Sequence, residues 1–459
     1  NKGSTKNIDS SAKPTPIQLR LWPALFDSFQ SKACAESSSS SLNVIGIAPT
    51  GTGKTMAYAV PVVSNCARSL LSQMYAARGS RPTVHGLVLV PTRELAIQVS
   101  KEFKAVAKVA NKYLSKCCAA AGGEDAADAS SMEVKSLAVY GGVDIESQID
   151  ALLGRGEASS GQMSLVVAAT AGRLLDILKK SDINGGSASL AFADLRAIVF
   201  DEADRIAVNA DMAGQVDEIL SILNSEKRCT KQNIGNALHC LVSATLPEKA
   251  KEVCYKWVPR SRIVVKIDSV KVGGKKSSNS LDTTKAGKRS DDKCDEVPAR
   301  ETPPKTSAEE GTKHKFPKSL DLARIPSNIV QTLHVCSNHK KPKKLILTLQ
   351  RIYLKKDTKS ERFSVNNRLC IVFFAQIKTV KNTLRLLVKE GLRCVELYGS
   401  LNQSERERRL LEFKAGKTPI LLATDVAARG LHIPNVHYVV NYDFPGSLDQ
   451  YVHRCGRAG

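Results

Sequence analysis

Short runs of β-branched and other apolar residues alternate with helical stretches from about Asn43 to Ile267. The runs are "NVIGIA", "GLVLV", "SLAVY", "SLVVAA", "LRAIVF", "LHCLVS" and "RIVVKI", each beside an amphipathic or Ala/Leu-rich segment. That alternation predicts a parallel sheet joined by crossover helices. The same rhythm restarts near Ile329 with "IVQTLHV", "LCIVFF", "RCVEL", "PILLAT" and "VHYVV", separated by helical segments such as "KTVKNTLRLLVKE". A second α/β domain is expected there.

Between the two, Ser269 to Arg324 holds few large apolar residues among many Gly, Pro, Ser and Lys. Such a composition cannot bury enough surface to offset the entropy of ordering, so it reads as a flexible linker. The expected organisation is a first domain over 1–268, a basic low-complexity linker over 269–325 and a second domain over 326–459. "CAESSSSSL", "CCAAAGGEDAADASS" and "SDINGGSAS" read as surface loops. The length of 459 residues exceeds what one hydrophobic core normally supports, which agrees with at least two domains.

Composition is that of a globular protein, with 42% hydrophobic and 24% charged residues. The longest apolar runs fall far short of the ~20 residues a membrane span needs. Sixty-seven Lys and Arg against forty-five Asp and Glu give a formal charge of +22. That excess favours a phosphate-rich partner, nucleic acid first, although charge alone does not separate this from a merely soluble basic protein. The twelve cysteines show no Cys-x-x-Cys pair and no spacing shared with His. They read as reduced thiols in an intracellular compartment, not as disulfides or a zinc site.

The strongest local signal is "APTGTGKT", Ala48 to Thr55, between the strand "NVIGI" and a helical segment. Its glycines let backbone N–H groups turn inward on phosphate oxygens, and the helix amino end adds partial positive charge. Lys54 is placed to reach the β and γ phosphates and Thr55 to offer a hydroxyl to Mg²⁺. The cradle comprises Pro49, Thr50, Gly51, Thr52, Gly53, Lys54 and Thr55; Ala48 stands where a first Gly is usual. "AIVFDEAD" delivers Asp201 and Glu202 to the carboxyl edge of another strand. Asp201 suits a cation held through its water shell, and Glu202 suits orienting and deprotonating an attacking water.

With these motifs in hand, the sequence resembles the DEAD-box ATP-dependent RNA helicases. "DEAD" at 201–204 is the namesake motif, and the others follow in the family's order. "KPTPIQ" looks like the adenine-reading Q motif with Gln18 as reader. "PTRELA" looks like motif Ia, "YGG" like the GG motif, and "TAGRLLD" like motif Ib. "SAT" looks like motif III, "IVFFAQ" like motif IV, "QSER" like the Q-x-x-R element, "ATDVAARGL" like motif V and "HRCGRAG" like motif VI.

The resemblance implies two RecA-like α/β domains with parallel sheets flanked by helices, clasping ATP, Mg²⁺ and RNA in the cleft between them. Lys54, Asp201 and Glu202 would carry catalysis, with Arg457 supplying positive charge from motif VI beside His453 and Arg454. Asp204, Ser243 and Thr245 would couple hydrolysis to closure. Thr92, Arg93, Gly142, Thr170, Gly172 and Arg173, with Gln403, Arg406 and Thr424 of the second domain, would touch the RNA sugar-phosphate backbone, without reading base sequence. The implied activity is RNA-stimulated ATP hydrolysis coupled to clamping and local unwinding or ribonucleoprotein remodelling. A monomer in the nucleus or nucleolus is favoured over the cytoplasm. Ribosome assembly is the preferred pathway, with splicing, translation and RNA decay still open.

Departures from the family pattern are His432, where motif V usually has Asp for the ATP ribose, and Ala171, where motif Ib usually has Pro. The family also places an aromatic residue upstream of Gln18 and a further Arg after the final Gly; neither falls within this sequence. The resulting expectation is a piece of a longer protein that binds nucleotide and RNA but hydrolyses ATP poorly.

Overall fold

The protein is described here from a computed structural model, which covers residues 13–33, 43–72, 82–120, 132–155, 162–183, 191–224, 237–258, 262–267, 329–353, 368–425, 433 and 436–458. The expected linker, His432 and most of the three predicted loops lie outside the described residues. The last predicted loop-forming stretches start later than expected, because helix continues through Ala120 and Ile183.

All seven runs of the first half are strands: β1 (Asn43–Ile47), β2 (Thr83–Val90), β3 (Glu133–Val139), β4 (Met163–Thr170), β5 (Ala197–Asp201), β6 (Leu238–Ser243) and β7 (Arg262–Lys266). They form one sheet in the order β3-β4-β2-β5-β6-β1-β7, and every pair is parallel. Successive side chains point to opposite faces, so one sheet feeds two cores. Ile45, Leu87, Leu89 and Val167 enter one; Val44, Val88, Val90 and Val166 enter the other. Helices α1 (Pro16–Ala33), α2 (Lys54–Ser72) and α3 (Arg93–Ala120) cover the second of these faces. The opposite face is covered by α4 (Ile145–Leu153), α5 (Ala171–Ile183), α6 (Ala203–Val208), α7 (Ala210–Asn224) and α8 (Glu248–Trp257).

The second half repeats the plan with β8 (Leu369–Phe374), β9 (Cys394–Leu397), β10 (Ile420–Thr424) and β11 (Val436–Asn441) in the order β11-β8-β10-β9, all parallel. Its helices are α9 (Lys341–Tyr353), α10 (Ile377–Lys389), α11 (Gln403–Lys414) and α12 (Leu448–Cys455). One predicted strand is corrected: "IVQTLHV" is not part of a strand. Its Val330, Leu333 and Val335 are 92%, 79% and 94% exposed. Ile329 packs instead on Tyr451, Val452 and Cys455, and Tyr451 donates to Gln331. Apolar side chains mark a strand only where a sheet face receives them, and here none does.

Register explains where the chemistry collects. Ile47 is opposite Ser243 and Asp201 opposite Val242, so the chain leaves β1, β5 and β6 at one level of the carboxyl edge. Val90 is opposite Thr170, and Val139 opposite Ala169, so "PTRELA", "YGG" and "TAGRLLD" emerge from the other half of the same edge. Ligands of open parallel sheets bind outside this edge.

Candidate nucleotide and nucleic-acid site

After β1 the chain turns through Ala48–Gly53 and enters α2 at Lys54. Gly51 and Gly53 have φ of 77° and 81°, the left-handed region in which a glycine costs little. A Cβ at Gly53 would lie 2.7 Å from Gln18 Nε2. That amide donates to Gly53 O at 3.2 Å, while Thr15 N donates to Gln18 Oε1 at 3.0 Å, so Gln18 braces the loop's last turn. Lys54 Nζ donates to the Ala48 and Pro49 carbonyls at 2.9 and 2.8 Å. Burial pushes its pKa down to about 8, against the carboxylates of Asp201, Glu202 and Asp204. The ammonium is thus held by backbone carbonyl dipoles, which a phosphate can replace because hydrogen bonds to a charged partner are the stronger ones.

Asp201 is buried and accepts from Tyr58 Oη at 2.7 Å and from Glu202 N at 2.9 Å. Burial raises its pKa to about 6, against the Tyr58 hydrogen bond and the charge of Lys54. The Thr55 side chain is near enough to the Tyr58 hydroxyl to act against the burial that raises the tyrosine's pKa. A buried carboxylate held by neutral donors beside a threonine hydroxyl is an all-oxygen set that suits a hard cation. Glu202 has φ 49°, the only positive φ outside glycine among the described residues. Such a backbone costs on the order of 1–3 kcal/mol and is kept where the surroundings enforce it. Its side chain is paired with Arg205 Nη1 at 2.9 Å.

The second domain closes on this edge. Arg457 Nη2 stands 4.0 Å from Glu202 Oε1, and His453 Nε2 lies 3.3 Å from Asp204 Oδ2. Thr245 Oγ1 donates to the same Asp204 oxygen at 2.5 Å. Burial alone would raise the Asp204 pKa, but His453 and Thr245 outweigh it and hold the carboxyl far below its ordinary range. Asp204 therefore joins motif III, through Thr245, to motif VI, through His453. Ser243 contributes through its backbone, which accepts from Ala48 N at 3.1 Å, and its buried hydroxyl has no hydrogen-bond partner among the described residues.

Thr50 Oγ1 donates to Gly456 O at 3.4 Å across 406 positions of sequence. A Cβ at Gly456 would land on that hydroxyl and 2.9 Å from Thr50 Cβ. Gly456→Ala is therefore expected to hold the domains apart. Overpacking costs about 1–3 kcal/mol, so RNA-stimulated ATP turnover should fall roughly tenfold to a hundredfold. Adding Thr50→Gly should restore part of it; steady-state assays of the single and double variants check both.

The residues expected at nucleic acid fall into two groups. Thr92 caps α3 by accepting from Leu95 N. The Arg93 guanidinium packs over Gly141 and Gly142, and Gly142 has φ 93°, so a side chain at 142 would displace the arginine. Thr170 and Gly172 border the same edge, and Arg173 Nη1 donates to Val143 O at 2.9 Å. Thr424 is buried at the end of β10, and Gln403 donates to Glu407. Arg406 does not face solvent: Nη2 lies 2.5 Å from Glu94 Oε1, both side chains being 9% exposed, in a pair joining the domains. Arg454 is likewise turned into its own domain, with Nε and Nη2 donating to the two Asp425 oxygens at 2.7 and 2.6 Å.

Sequence reasoning did not single out Tyr58, Glu94, Arg205, Asp425 or Gly456. Tyr58 carried a usable signal, because position i+4 from Lys54 shares its helix face. Arg205 carried one too, standing three residues from Glu202, whereas Glu94, Asp425 and Gly456 had none, since their partners are set by tertiary contact.

A phosphate-binding loop facing strand-end carboxylates, with arginine brought over them from a second parallel sheet, defines a two-domain P-loop nucleotide-binding protein of RecA-like fold. Residues 27–253 match the family model described as DEAD/DEAH box helicase, and residues 347–459 match the helicase conserved C-terminal domain. The chain is 30% identical to the ATP-dependent RNA helicase DBP3 of Eremothecium gossypii, over 99% of this chain and 61% of that protein. It is 28% identical to DEAD-box ATP-dependent RNA helicase 20 of Arabidopsis thaliana, over 97% and 63%. It spans about three fifths of the length of such curated relatives. Among solved structures, the DEAD-box helicase Mss116 bound to ssRNA and UDP-BeF aligns with a TM-score of 0.64 at 22% identity, covering 97% of this chain and 67% of that one. S. cerevisiae Dbp5 bound to RNA and ADP BeF3 aligns at 0.56 and 18%, covering 97% and 81%. The chain belongs to the DEAD-box helicase family.

Proposed function

We propose that this chain is an ATP-dependent RNA helicase, an RNA-stimulated ATPase that clamps RNA and locally destabilises duplex or remodels ribonucleoprotein. The observation that carries the reading is Glu202, which lies between the P-loop of the first domain and Arg457 of the second. Glu202 positions and deprotonates the attacking water. Lys54 exchanges its loop carbonyls for phosphate oxygens, and Arg457 meets the charge that develops on the γ-phosphate. Thr55, and Asp201 through water, would hold Mg²⁺, which would neutralise phosphate charge. Asp204 and His453 make closure a condition of turnover, because the hydrogen bond they share exists only with the domains together, and Thr245 holds the Asp204 carboxylate for it.

In this reading residues 1–268 and 326–459 are the two RecA-like domains and 269–325 joins them. RNA lies along the Thr92, Arg93, Gly142, Thr170, Gly172 and Arg173 edge and meets Gln403 and Thr424 of the second domain. Arg406 acts as a domain-closing partner of Glu94 beside the RNA. The protein is proposed to work as a monomer on RNA, with ribonucleoprotein or cofactor proteins as further partners. A nucleolar role in ribosome assembly is proposed from the basic charge and the lysine-rich stretches. Among the described residues no helix is long and apolar enough to cross a membrane.

The test measures ATP hydrolysis by the full-length protein without nucleic acid, with RNA and with single-stranded DNA, beside strand separation of a short RNA duplex. RNA-specific stimulation with unwinding is expected. RNA retention without hydrolysis would instead make the protein a nucleotide-gated clamp, and stimulation by DNA would make it a DNA translocase. Lys54→Ala removes charge-assisted hydrogen bonds, which contribute about 1.5–3 kcal/mol, so ATP affinity should drop by roughly 10- to 100-fold in equilibrium titration. An unchanged affinity would overturn the P-loop assignment.

A further inference from the structure

Helix α3 begins at motif Ia and runs on for 28 residues, longer than the site requires. Its inner face carries Val99, Phe103, Ala107, Leu114 and Cys118, all buried. Its outer face carries Lys101, Lys104, Lys108, Lys112 and Lys116, all exposed. The spacing of three, four, four and four keeps the five ammonium groups on one face over about 22 Å, at 1.5 Å per residue. None of them forms an ion pair with a described residue. Between Lys101 and Lys116 the only carboxylate on the helix is Glu102, which accepts from Gln98.

Two further observations give this row a direction. At its near end, Lys414 of the second domain comes close enough to Lys101 for that charge to add to burial in lowering the Lys414 pKa. Like charges thus continue across the domain seam, beside the Arg406–Glu94 pair. Along its flank, Val109 and Tyr113 are 68% and 62% exposed, four residues apart. A protein-binding surface would centre on such apolar groups and be poor in lysine. A row of lysines with an exposed aromatic at its side is instead the make-up of a surface that tracks a nucleic-acid backbone and stacks unpaired bases.

We propose that the lysine face of α3 is a second RNA-binding surface, which holds the single-stranded flank of an RNA where it leaves the cleft past motif Ia. Contacts are to phosphate oxygens, with Tyr113 available to stack on a base, and they confer length dependence without sequence preference. The inference rests on the RNA-binding reading of the cleft.

The test compares labelled oligouridylates of 10 and 25 nucleotides, bound to the full chain with a non-hydrolysable ATP analogue and followed by fluorescence anisotropy over a salt series. In the wild type the 25-mer should bind at least tenfold more tightly than the 10-mer. In the triple variant Lys104→Glu, Lys108→Glu, Lys112→Glu the 10-mer affinity should stay within twofold, and the advantage of the 25-mer should vanish. Its salt slope should fall by about 2, since each phosphate contact on a single strand contributes about 0.7. Tyr113→Ala should weaken only the 25-mer. Equal 25-mer binding by wild type and triple variant overturns the proposal, which is also the result expected if the face serves an acidic protein. Failure of the wild type to hold even the 10-mer with nucleotide would sink the RNA-clamp reading itself, and this inference with it.

Discussion

Glu202→Gln is expected to lower RNA-stimulated ATP turnover by a factor of about 10² to 10⁴, the span that a positioned general base supplies. ATP and RNA affinities should stay within about twofold. The substitution keeps the side-chain length and leaves an oxygen to accept from Arg205 Nη1, now 2.9 Å away. What it removes is the basic oxygen. The backbone at φ 49° should be unaffected, since its conformation comes from the turn between β5 and α6 and not from the carboxylate. Single-turnover hydrolysis beside RNA anisotropy separates the chemical step from binding. Turnover at the wild-type rate would move the base elsewhere.

Arg454→Ala should destabilise the second domain by about 3–5 kcal/mol, the usual consequence of removing one partner from a buried ion pair. Arg454 is almost wholly buried, at 3% exposure. Besides its two bonds to Asp425, it donates through Nη1 to Asn441 Oδ1 at 2.9 Å and to Asp443 O at 2.7 Å. It also lies 5.0 Å from the centre of the Phe373 ring. One side chain therefore ties α12 to β8, β10 and β11, and with α12 go His453 and Arg457. Thermal unfolding should show the lower transition displaced by roughly 10 °C or more. Arg454→Lys should recover only a minor part, because an ammonium cannot make the planar two-pronged contact. Unchanged melting of Arg454→Ala would show that the motif VI arginine acts on nucleotide and not on the domain.

The same two residues show why parts of the site could be read early and others could not. Glu202 was legible because a strand ending in two acids is a contiguous pattern, and its meaning was fixed once "GTGKT" appeared on another strand of the same sheet. Arg454 was legible only as a member of motif VI, and its assignment beside Arg457 suggested a shared role. In space the two arginines, three residues apart on one short helical turn and its exit, face opposite ways: one into its own domain, one across the cleft. Arg406 shows the same limit. A basic side chain in a backbone-contacting motif was expected at RNA, but the carboxylate of Glu94 captures it across the domain boundary. The strand misread at "IVQTLHV" has a related cause, since β propensity has no effect unless a neighbouring strand accepts the hydrogen bonds.

Sequence alone determined the two parallel-sheet domains, the phosphate loop and the acids that face it. Each of these is encoded within a few consecutive residues, where backbone conformation and strand burial follow from local chemistry. Tertiary structure decided what lies far apart in the chain: Tyr58 on Asp201 across 143 positions, His453 on Asp204 across 249, and Gly456 on Thr50 across 406. The first forms only when α2 packs on its own sheet and the other two only when two independently patterned sheets bring their edges together, and no local pattern records which side chains will then meet.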